Sequence, residues 1–152
     1  EVKEEEEEEE QEEYASIEDY SQLSINWAIL GDWTAKNPIQ QGEQFETGAQ
    51  VFIEGLTDLG TGTANKHVTC EIGYSTTNSD PSGTDWTWQS CHWNGQWGNN
   101  HYYQGKTPEI STAGTYYYTF RFRIDEGTYA YAGTDGLWNG TSSTYKTFQV
   151  TM

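Results

Sequence analysis

Basic residues are scarce: seven Lys and Arg stand against 24 Asp and Glu in 152 residues, a formal charge of −17. A chain so poor in cations has little to offer a phosphate backbone or an anionic membrane surface, which argues against a nucleic-acid partner and against membrane insertion. Long hydrophobic runs are also missing, and no stretch approaches the roughly 20 apolar residues that a membrane span requires. No window holds apolar residues at helical spacing over three turns, so the pattern leaves an all-β chain. There is one Met and there are three Pro. Two cysteines, Cys70 and Cys91, allow a single pairing. No GxSxG elbow, phosphate loop, dinucleotide fingerprint or HExxH motif occurs, and His67, His92 and His101 lack metal-ligand spacing. The sequence therefore reads as non-enzymatic. It starts at Glu1 with no leader, which reads as a processed chain or a cut fragment.

What is present is Gly (16), Tyr (11), Trp (7) and abundant Thr. The clearest element is Gly114–Ile124, where Tyr116, Tyr118, Phe120, Phe122 and Ile124 alternate with Thr115, Tyr117, Thr119, Arg121 and Arg123. A period of two filled with aromatic and β-branched residues predicts a half-buried strand, and five apolar positions on one face call for a second sheet to cover them. Further strands are expected over 23–30 (Leu23, Ile25, Trp27 and Ile29 on one face), 50–56 (Val51 and Ile53 inward), 67–75, 85–93, 128–132 and 144–151. The segment TTNSDPSGT over 76–84 is a loop dense in turn formers. If the strands on either side of it form a hairpin, Cys70 and Cys91 fall almost opposite one another. A disulfide between them would contribute about 3 kcal/mol and would imply an oxidising, extracellular setting. Eight or so short strands make a single antiparallel β-sandwich over 23–152, of immunoglobulin-like or jelly-roll topology. Residues 1–22 form an extended N-terminal arm, acidic over 1–13, where like charges prevent packing.

The runs CEIGYSTTNSDPSGTDWTW, GNNHYY and GTYYYTFRFRIDEGTYAYAG give a GYST…W…GTYYY…R pattern across residues 25–152. In this the chain resembles β-sandwich accessory modules of secreted bacterial multidomain proteins, often found beside hydrolases. The resemblance implies a non-catalytic, extracellular, carbohydrate-associated domain. It carries over no functional residues.

Three chemical signals remain. Trp86, Trp88, Trp93, Trp97, Tyr102, Tyr103 and Trp138 lie in or beside segments rich in Asn, Gln, Gly and Asp. Sugar rings pack their C–H faces on aromatic planes while their hydroxyls take amide and carboxylate partners, so these residues are candidates for polysaccharide binding. Cross-strand packing of alternate Trp explains them equally well. Asp58, Asp80, Asp85, Asp125 and Asp135 sit in Gly/Thr loops, the oxygen-rich setting that calcium prefers, although ordinary turn chemistry accounts for them too. Finally, Tyr14, Ile17 and Tyr20 lie in an alternating segment that could add a strand to another copy. On that basis a self-associating subunit of a surface fibre is the leading expectation, with a carbohydrate-binding module as the alternative.

Overall fold

The computed structural model describes residues 13–31, 35–141 and 145–152. The acidic arm before Glu13 and the expected start of the last strand at 144 lie outside the described residues. Ten strands follow in order: β1 Trp27–Leu30, β2 Ile39–Gln40, β3 Glu46–Phe52, β4 Val68–Ser75, β5 Thr87–Ser90, β6 His92–Trp97, β7 Asn100–Lys106, β8 Gly114–Ile124, β9 Ala130–Tyr131 and β10 Lys146–Thr151.

They form two sheets. One runs β1-β3-β7-β6 and the other β2-β10-β8-β4-β5, with β9 alongside β8. Every pairing is antiparallel except that of the short β2 with β10. This is the immunoglobulin order: β1, β3, β7 and β6 stand as A, B, E and D, while β10, β8, β4 and β5 stand as G, F, C and C′. Of the two topologies expected, jelly roll is thereby set aside.

The alternation in β8 does what its sequence demands. Tyr116, Tyr118, Phe120 and Phe122 are buried; of the intervening positions Tyr117, Arg121 and Arg123 are part-exposed, while Thr119 is covered and donates its hydroxyl to the Ala132 carbonyl at 2.8 Å. Tyr116 also donates its hydroxyl to the Thr112 carbonyl, 2.7 Å away and four residues upstream, the tyrosine corner that fixes the chain entering the F strand of such sandwiches. Tyr116→Phe should cost about 1 kcal/mol through the carbonyl left unpaired, read as a lower urea midpoint at unchanged slope. An unchanged midpoint would show that the corner is ornamental.

Two expectations are corrected here. The strand expected over 23–30 is shorter, β1 Trp27–Leu30; its buried residues are Ala28 and Leu30, and Trp27 and Ile29 share the face that points out of the sheet. Both faces of that strand are apolar, so its period cannot tell in from out. The 14–20 segment is not a strand free for a neighbour. Tyr14 is 4% exposed within the core cluster, its hydroxyl bonded to the Thr63 carbonyl at 2.5 Å and accepting from Thr61 at 2.7 Å. Tyr20 stacks on His67 at 3.7 Å, and Ile17 packs on the core. The folded body thus begins by Tyr14, ahead of the boundary expected at 22/23.

Candidate binding face on the β1-β3-β7-β6 sheet

The outer side of this sheet is set by register. Val51, Ala49, His101, Tyr103 and Trp93 turn toward the other sheet, leaving the alternate positions outside. Trp27 pairs with Phe52, Val51 with His101, and Asn100 with Trp97. Continuing the β3–β7 register by one step places Phe52 beside Asn100. A row therefore crosses all four strands as Trp27, Phe52, Asn100 and Trp97. The next row is Ile29, Gln50, Tyr102 and Gly95.

A bulge puts Trp97 on this face. Trp93 and Trp97 are four residues apart, and an unbroken strand would point both the same way. The β6–β7 register slips between Trp93 and Gly95, which doubles two residues against one. Trp93 consequently faces inward, edge-on to His101 at 5.8 Å, while Trp97 faces outward and lies flat on Tyr102 at 4.3 Å and 13°. Trp97 is 41% exposed. Tyr102 beneath it is almost fully covered, its ring lying over Gly48, where any side chain would collide with it.

Amides surround the stacked pair. The bulge residue Asn94 donates to Gln104 Oε1 at 2.8 Å, and Asn100 donates to Gln50 Oε1 at 3.0 Å. These bonds orient the amides, and among the described residues the Gln50 NH2 and the Asn94 and Asn100 carbonyl oxygens make no hydrogen bond. An aromatic plane beside fixed neutral donors and acceptors can hold a polyol ring by its face and its edge together.

The other sequence candidates are divided by the fold. Tyr103 is buried against Phe122, and Trp93 lies on the core side. Trp86, Trp88 and Trp138 belong to the outer side of the opposite sheet. There Arg121 is clamped between Trp88 and Tyr129 at 4.1 and 3.9 Å and paired with Glu71 at 2.8 Å. Trp88 lies on Gly73, Trp86 is buried against Tyr145, and Trp138 packs on Tyr131 while donating to the Thr141 carbonyl. These rings are occupied by the protein itself. Sequence reasoning missed Trp27, Phe52, Gln50, Asn94, Asn100 and Gln104, which only strand register brings together.

The calcium candidates do not converge. Asp58 caps the Gly55 amide and Asp80 takes the Ser82 amide and hydroxyl, bonds that hold its carboxyl below the usual range. Asp125 pairs with His67 at 2.7 Å, and Asp85 and Asp135 are exposed in separate loops. Among the described residues, no three His, Cys, Asp or Glu side chains gather as metal ligands. A separate cleft of about 630 Å3 lies between Tyr20–Ile25 residues such as Ser21 and Leu23 and the β8–β9 turn at Asp125 and Glu126.

Cys70 and Cys91 are brought together as expected, with the Cys91 amide donating to the Cys70 carbonyl at 3.0 Å, yet both are free thiols rather than the expected disulfide. Burial, and a hydrogen bond with Cys91, push the Cys70 thiol well up, so it is held as an inert core group.

No family model and no curated protein matches the sequence. Two solved structures align with 76% of the chain at 13% identity. One is an uncharacterized protein from Listeria monocytogenes EGD-e in complex with α-D-glucose, β-D-glucose, magnesium and calcium (TM-score 0.45). The other is a cycloalternan-forming enzyme from Listeria monocytogenes in complex with a pentasaccharide substrate (TM-score 0.46). The chain spans 9% of the length of either protein. No helix among the described residues is long and apolar enough to cross a membrane.

Proposed function

We propose that this domain is a non-catalytic carbohydrate-binding module whose binding surface is the outer face of the β1-β3-β7-β6 sheet. The carrying observation is the exposed Trp97 held flat on Tyr102 beside the oriented amides of Asn94, Asn100 and Gln50. A ring exposed on a rigid strand, and already supported from below, costs little ordering when a sugar lands on it. We place the domain outside the cell, where polysaccharide is encountered. The fibre reading loses its donor, because Tyr14, Ile17 and Tyr20 are spent on their own domain.

The decisive measurement is retention in affinity gels across a broad set of polysaccharides. Trp97→Ala should lower retention about tenfold or more, the scale of one lost aromatic contact, with little change in the thermal midpoint. Trp88→Ala should leave retention unchanged, since that ring serves the opposite sheet. Loss of retention in Trp88→Ala but not Trp97→Ala would move binding to the other face and defeat the proposal, as would no retention by the native protein on any polysaccharide.

A further inference from the structure

Resting on the carbohydrate reading above, we infer that the face takes an internal stretch of an uncharged glycan chain lying across the strands, from Trp97 on β6 to Trp27 on β1. The row that joins them spans three strand-to-strand spacings, about 14 Å, which is longer than one or two sugar rings can cover. Aromatic side chains stand at both ends of that row and at Phe52 within it, Trp97 exposed and Trp27 half-buried with its pyrrole edge against Gly136, while the polar partners sit in and beside its middle. A single-sugar site would instead gather its polar groups around one ring.

The charge class follows from the groups present. The polar side chains in the two rows are all uncharged: the amides of Asn100 and Gln50 and the Tyr102 phenol, supplemented by the amides of Asn94 and Gln104. No Lys or Arg stands in either row to pair a uronate or sulfate, and the chain's charge of −17 repels a polyanion. The direction follows from the position of the rings. Trp97 and Trp27 lie on the two outer strands of one row, so a ligand running along the strands could meet one of them but not both.

The test is calorimetric titration of the full chain with neutral gluco-oligosaccharides from one to six units, beside affinity gels containing a neutral glucan or a polyuronate. Affinity should climb with length by tenfold or more between two units and five, then level off once the row is filled. Trp27→Ala should weaken the five-unit ligand by about tenfold and leave the two-unit ligand unaffected, whereas Trp97→Ala should weaken both. A neutral gel should retard the protein, and a polyuronate gel should not at low salt. Equal affinity for two and five units, an unaffected Trp27→Ala variant, or equal retardation by polyuronate would overturn the inference while leaving sugar binding at Trp97 intact. Absence of binding to every ligand would remove both.

Discussion

Phe148→Ala should lower stability by about 4 kcal/mol, the range found when a fully buried aromatic is cut to a methyl group. Phe148 on β10 is fully buried and joins three rings across the interior. It stacks on Phe45 at 4.1 Å and 3°, on Tyr116 at 5.3 Å and 12°, and tilts against Tyr118 at 6.0 Å. Phe45 precedes β3, so the stack ties the loop entering one sheet to the G and F strands of the other. Collapse around the gap is limited because two of the neighbouring rings lie flat against Phe148 from Phe45 and Tyr116, and Phe45 is itself braced by a tilted contact with Tyr118 at 4.9 Å. Thermal unfolding should shift down by roughly 10 °C for a domain of this size. Retention of wild-type stability to within 1 kcal/mol would show that the stack is not what closes the core.

Acid should destabilise the fold through His101, and His101→Leu should remove that sensitivity. The imidazole faces the interior from β7, fully buried, and neither ring nitrogen has a hydrogen-bond partner among the described residues. Burial disfavours the imidazolium and lowers its pKa from 6.5 to about 4. An unfolded chain binds this proton near pH 6.5 while the folded one refuses it until about pH 4. Stability is therefore full above pH 6.5 and falls as the pH drops to 4, by about 3 kcal/mol in all. Urea midpoints for wild type and His101→Leu, measured at intervals from pH 7.5 to 4, should converge or cross as the wild type weakens. Parallel curves would mean that the imidazole is protonated in the folded state. Exposed carboxylates held down by hydrogen bonds, such as Glu43 and Asp80, titrate in both proteins and cancel in the difference.

The β8 strand was legible to the residue because one face is wholly apolar and the other carries Thr and Arg. β1 was not, because Trp27 and Ile29 are as apolar as Ala28 and Leu30, and only the partner strand decides which pair is covered. The 85–93 run was read as one strand, yet it breaks at Cys91 and continues in the other sheet as β6. Nothing in its local pattern marks a change of sheet. The Trp97 platform was half legible: its aromatics were singled out, but a bulge at Asn94 reverses the parity between Trp93 and Trp97. Amides from three strands meet there through long-range register, which composition does not encode. The acidic residues were misleading for the reverse reason, since Asp is favoured in turns whether or not a cation follows.

The corner at Cys91 bears on how this domain meets its neighbours in a crowded solution. β5 is the rim of one sheet and β6 the rim of the other, and they are a single ribbon that bends after four residues and is bulged at Asn94. Rims offer unpaired backbone groups that can template another chain, and a short or kinked rim offers them poorly. On the opposite flank, β1 is shielded where the Leu30 amide donates to the Gly133 carbonyl at 2.8 Å, and β2 is only two residues long. Among the described residues, no straight, open rim is long enough to seed stacked growth. The bulge that turns Trp97 out of the sheet thus also guards the domain against ordered aggregation.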